Sequence, residues 1–157
     1  MNAIDLLKMG HDKVQALFRQ YDDAGEQRQQ QRELADQIFT ELEVHTTLEE
    51  ELFYPAVRAK LGVEDAEEAE DEEEDLVSEA LEEHQEVKNL IAALRGLNPG
   101  DAQFQARFTE LRESVEEHIG MEEDELMPDA AAALGGELER LGRQLEERKE
   151  QLMAGKS

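Results

Sequence analysis

The stretch HTTLEEELFYP at 45–55 returns 73 residues later as HIGMEEDELMP at 118–128. HDKVQALF at 11–18 returns at the same offset as HQEVKNLI at 84–91. His11 and His45 lie 34 residues apart, as do His84 and His118, and the chain has no other histidine. A match at one fixed offset is the mark of a supersecondary unit used twice.

Outward from these motifs, apolar residues recur every three or four positions, and alternating β-type runs are absent. Ile4, Leu7, Val14, Phe18 and Tyr21 mark a first helix, roughly 3–22. Ile38, Leu42, Leu52 and Ala56 mark a second, roughly 26–58, with Pro55 expected to kink or stop it. Leu76 or Val77, with Val87, Ile91 and Leu94, mark a third, roughly 74–95. Phe104, Phe108, Leu111, Val115 and Leu126 mark a fourth, roughly 101–126, ending before Pro128. Leucines 134, 138, 141, 145 and 152 mark a fifth at heptad-like spacing, interrupted by Arg148. That fifth helix has two readings, a cap on the bundle or a homodimer contact. The fold expected is all-α. It is an up-down antiparallel four-helix bundle with a pseudo-two-fold internal repeat and a short C-terminal fifth helix. Residues 1–128 form the bundle, with an acidic linker at 63–75, and 129–157 carry the C-terminal amphipathic helix.

Each histidine falls on the apolar stripe of its helix. With ~1.5 Å of rise per residue, each hairpin returns its second histidine to the depth of the first. Four inward imidazoles with separate purposes would need four separate partners. A single metal site serves all of them. Glu49 and Glu122 each follow a histidine by four residues, one turn on along the same face. A carboxylate there is costly unless paired or coordinated. Glu50, Glu51, Glu123 and Asp124, further round the helix, read as solvated charges. The set His11, His45, Glu49, His84, His118 and Glu122 is too large for one four-coordinate zinc. Two metals share it, each taking two histidines, with the carboxylates bridging. Mixed nitrogen and oxygen donors suit iron, with manganese or zinc as competitors.

Composition narrows the remaining chemistry. The 157 residues contain no cysteine, which excludes disulfides, thiolate sites, iron–sulfur clusters and thiol catalysis. The net charge of −25 argues against nucleic acid or anionic lipid as partner. Residues 64–75 hold ten acidic groups in twelve positions, read as a solvated linker, with cation collection as the alternative. No apolar run approaches the ~20 residues of a membrane span, and no signal peptide is evident, so a cytoplasmic protein is expected. Phosphate-binding loops, nucleophile elbows and the Glu-x-x-His order of ferritin-like sites are absent. Tyr21 and Tyr54 could lie near the metal layer, with helix-end packing the plainer reading of Tyr54, and neither is assigned a role.

The pattern H…HxxxE…H…HxxxE, with a proline after each second motif, resembles the hemerythrin-like HHE cation-binding domains over roughly residues 1–128. The resemblance implies a non-haem di-iron centre with an oxo or hydroxo bridge. It implies His11 and His45 on one iron, His84 and His118 on the other, and bridging Glu49 and Glu122. Oxygen-carrying hemerythrins have a further histidine as HxxxH on the third helix. Here the positions one turn from His84 are Ala80 and Lys88. Those carriers also place the last carboxylate five residues after its histidine, which would be Glu123. Five residues turn about 500°, off the face of His118, so Glu122 is preferred. About five ligands per iron leave room for a small molecule. The expected function is therefore binding of, or reaction with, O2, peroxide or NO, as a sensor or in stress defence. A peroxide-disproportionating or other oxidising enzyme is one alternative. An iron store or structural site on an interaction module is another.

Overall fold

The computed structural model describes residues 1–61 and 72–155. Most of the expected acidic linker therefore lies outside the described residues. Helix α1 spans Ala3–Ala24 and α2 spans Arg28–Leu48. Five residues of π-helix, Glu49–Phe53, join α2 to α3, Tyr54–Leu61. Helix α4 spans Glu72–Arg95 and α5 spans Ala102–Met121. A second π segment, Glu122–Leu126, leads into α6, Met127–Leu134. A 3-10 turn at Gly135–Glu137 precedes α7, Leu138–Ala154. The four long helices form the expected up-down bundle from two hairpins, α1–α2 and α4–α5. Among the described residues, no helix is long and apolar enough to cross a membrane.

Local chemistry sets the ends. Asn2 caps α1, its Oδ1 accepting the Asp5 N–H at 2.9 Å. Gly25, at φ 59°, closes α1 in a conformation open to glycine, and its N–H bonds the Asp22 carbonyl. In both hairpins a glutamine amide then fastens the turn, Gln31 to the Gly25 carbonyl and Gln105 to the Pro99 carbonyl.

The prolines correct the expected boundaries. Neither Pro55 nor Pro128 stops its helix. Each sits just beyond a π segment, where Tyr54 N–H bonds the Glu49 carbonyl and Met127 N–H bonds the Glu122 carbonyl. The wider turn relieves the clash a proline ring makes with the carbonyl four residues back. It also advances the inward face by one residue. Phe53 and Val57 are buried where Leu52 and Ala56 were expected, and those two are only partly covered.

The apolar core falls into two clusters. One fills the hairpin end of the bundle, with Phe18, Phe39, Leu94 and Phe104. The other fills the opposite end, with Leu7, Phe53, Val77, Leu126 and Leu145. The expected fifth helix is shorter at its start, since Leu134 ends α6, and the leucine stripe is covered within the chain: Leu134, Leu141 and Leu145 are buried, and Leu138 and Leu152 partly so. Gly142 sets the approach, because a Cβ there would collide with the Met1 carbonyl oxygen. Arg148, which breaks the stripe, donates two hydrogen bonds to Glu51 at 3.1 and 3.2 Å.

Candidate metal centre

The six residues singled out by spacing meet between the two apolar clusters. Glu49 and Glu122, the first residues of the two π segments, are fully buried. His11, His84 and His118 are buried and His45 nearly so. The His11 and His45 rings lie side by side, as do those of His84 and His118, each pair with centroids 4.8 Å apart.

Every histidine turns Nε2 toward the two carboxylates. His11 Nε2 lies 3.2 Å from Glu122 Oε1, and His118 Nε2 lies 3.1 Å from Glu122 Oε2. His84 and His45 Nε2 lie 3.1 and 3.4 Å from Glu49 Oε1. Short distances do not make these satisfied groups. Both Glu49 oxygens, Glu122 Oε1 and Nε2 of His11 and His45 are buried without a directed hydrogen bond. Orphaned polar atoms of this kind are rare in folded proteins. Among the described residues, two groups of donors could each hold a cation: His11, His45, Glu49 and Glu122, and Glu49, His84, His118 and Glu122. Within each, one ligand atom per residue lies within 4.8 Å of all the others, and both glutamates belong to both groups.

Without a cation, protons must balance the two carboxylates. Burial alone pushes the His118 imidazole down, but Glu122, Glu49 and Glu83 outweigh it and raise it to about 12. His11 and His84 are raised in the same way: burial opposes, and the neighbouring glutamates win. Burial pushes the Glu49 carboxyl up, yet the His45 charge and contacts with Glu122 and His118 hold it well below the usual range.

Four residues near the cluster take roles that spacing does not give, among them Glu83, which accepts from His118 Nδ1 at 2.8 Å. Glu50 and Glu123, expected in solvent, instead accept hydrogen bonds from Nδ1 of His84 and His11 at 2.8 and 2.6 Å. Their partners lie in the opposite hairpin, and helical periodicity carries no information about that. Their equivalence in the repeat was the available signal. Glu51 and Asp124 are exposed as expected. Tyr54, buried at the start of α3, donates its hydroxyl to Glu122 Oε2 at 2.7 Å and lies 3.2 Å from His84 Nε2. Its counterpart in the second half is Met127, so the repeat conceals it. Lys88 points outward and pairs with Glu50 at 2.8 Å, while Ala80 is buried in the second apolar cluster.

On the hairpin side of the histidine layer lies a cavity of about 20 Å³. All four histidines border it, and Val14, Leu42, Val87, Val115 and Ile119 supply apolar walls. It has room for about one water-sized molecule.

A four-helix bundle with buried histidines and glutamates at its midsection defines a class of helical cation-binding domains. Residues 2–130 match the family model of the hemerythrin HHE cation binding domain, and the chain belongs to that family. It is 31% identical over 126 residues to a protein of Nostoc sp. named DNA nickase, covering 80% of this chain and 32% of that one. The chain thus spans about a third of that relative's length. It is 27% identical over 154 residues to an uncharacterized protein of Mycobacterium tuberculosis, covering 97% of this chain and 88% of that one. The crystal structure of an HHE cation-binding domain-containing protein from Mycobacterium kansasii shares the fold, with TM-score 0.81 and 24% identity. That likeness covers 99% of this chain and 89% of the other.

Proposed function

We propose that this chain is a non-haem di-iron protein that binds or reacts with dioxygen, peroxide or nitric oxide, as a cytoplasmic sensor or in oxidative and nitrosative defence. His11 and His45 would hold one iron and His84 and His118 the other, with Glu49 and Glu122 across both and an oxo or hydroxo bridge between. Bound irons supply one-electron redox chemistry and open positions for a small ligand. The observation that carries this reading is the pair of donor groups sharing both buried glutamates. Imidazole and carboxylate donors together suit iron, and two cations offset two buried carboxylates. The small, apolar-walled cavity beside the histidines favours a ligand of a few atoms over an organic substrate. The net charge of −25 opposes a DNA phosphate backbone, so the nicking activity in the name of the Nostoc relative is not extended to this chain.

A second reading, peroxide disproportionation, is favoured by Tyr54. Its buried hydroxyl holds a proton 2.7 Å from Glu122. In the metal-free cluster, burial and the charges of Glu49 and Glu122 push that phenol well above its ordinary value of 10.0.

One experiment addresses both readings. Iron-loaded protein, reduced without oxygen, is exposed separately to dioxygen, nitric oxide and hydrogen peroxide. A change in the near-ultraviolet and visible spectrum with at least one of them is expected. No response to any would leave a storage or structural site. If the chain turns over peroxide with Tyr54 as proton donor, Tyr54→Phe should slow turnover by about 10²-fold with iron content unchanged. Equal turnover in the variant would remove the phenol from the chemistry.

A further inference from the structure

The repeat that makes the two half-sites equivalent breaks at one position, beside His45. A carboxylate on the outer nitrogen of a metal-binding histidine fixes the ring's tautomer and orientation and raises its basicity. Three of the four histidines have one, always from another helix. His11 Nδ1 donates to Glu123 Oε2 at 2.6 Å and His84 Nδ1 to Glu50 Oε2 at 2.8 Å. These two bonds are related by the 73-residue repeat and cross between the halves in opposite senses. His118 Nδ1 donates to Glu83 Oε1 at 2.8 Å. The repeat counterpart of that last bond would join His45 to residue 10, and residue 10 is glycine.

Gly10 is pressed against the ring it would have served. A Cβ at that position would lie 2.6 Å from His45 Nδ1 and 3.0 Å from Cε1. The space that a glutamate side chain would need is therefore closed. His45 Nδ1 thus faces the Gly10 backbone where the repeat would place a glutamate, and His45, at 11% exposure, is the least covered of the six residues.

We propose that the two half-sites are unequal: the His11–His45 half holds its metal more weakly and exchanges it first, and Glu83, opposite Gly10, is the positioning residue that sets the difference. This rests on the two-metal reading above. Removing an outer partner of a metal ligand weakens binding by about 10–100-fold, and that is the gap expected between the halves.

The test is a stepwise anaerobic titration of the metal-free full chain with Fe(II), followed by release of the bound iron into excess chelator. Two irons should bind, with affinities about 10–100-fold apart, and leave in a fast and a slow phase. Glu83→Gln keeps an acceptor for His118 Nδ1 but removes the charge. It should weaken the tighter site and close the gap. Glu123→Gln acts on His11, in the weaker half, and should widen it. A merely structural role for either glutamate would change thermal stability and leave the ratio of the two sites alone. Two irons released in a single phase, or a ratio unmoved by Glu83→Gln, would overturn the inequality and leave the two-metal reading standing. Fewer than two irons at saturation would overturn that reading itself.

Discussion

Glu49 is a fully buried carboxylate with neither oxygen in a directed hydrogen bond. Such a group is tolerated only when a cation or a proton offsets it. Metal and protons therefore compete for the cluster. For His118, raised from 6.5 to about 12, the stabilising interaction is fully present below pH 6.5 and is lost as pH rises toward that value. His11 and His84 are raised too and act in the same sense. For Glu49, lowered from 4.5, the contribution is present above that pH and is lost on acidification. Metal-free protein should accordingly be most stable near pH 4.5–6.5 and melt at falling temperatures as pH is raised toward 9. Metal uptake should release protons, and affinity should rise with pH. A metal-free melting temperature that rises over that range would show that the buried histidines are not held protonated by the glutamates. At this scale the six inward residues were legible, because each lies on an apolar stripe and the spacing repeats. Glu50, Glu83, Glu123 and Tyr54 were not, because each acts on a side chain from a different helix.

The π segments and α7 do the work between residue and bundle. Each π segment begins at an inward glutamate and ends one residue before the proline-bearing turn. The proline that reads as a stop signal is thereby accommodated, and α3 and α6 run on beyond it. Periodicity alone misses this, because a single extra residue per turn shifts the face without changing the composition of the stripe. Helix α7 was legible as an amphipathic helix, but its partner was not. The packing answers with α1, through the close approach at Gly142. Gly142→Ala places a methyl group against the Met1 backbone, which cannot swing aside as a side chain could. The expected loss is about 1–3 kcal/mol, as for other overpacked contacts, read as a lower denaturation midpoint with an unchanged denaturant slope. Unchanged stability would show that α7 docks more loosely. Arg148 and Glu51 are each more than one-third exposed, so their ion pair contributes little by comparison.

Across the whole molecule, a polar layer divides an otherwise continuous core. Two apolar clusters lie on either side of it, each drawing on both hairpins. The bundle, its pseudo-two-fold design and the depth of the histidine layer were all legible from one offset of 73 residues, since that offset constrains both halves at once. The cavity on the hairpin side was not, because an opening of about 20 Å³ depends on how side chains from four helices meet. The excess of negative charge, −25 over the chain, suits a protein that takes up cations at its centre. On the proposed reading, the two donor groups sharing Glu49 and Glu122 would hold two irons. Mössbauer spectroscopy of the aerobically iron-loaded chain, with iron quantified per chain, tests it most directly. Two irons per chain in an antiferromagnetically coupled, diamagnetic ferric pair are expected. One iron per chain at saturation, or two with the magnetic spectra of isolated ions, would contradict that reading.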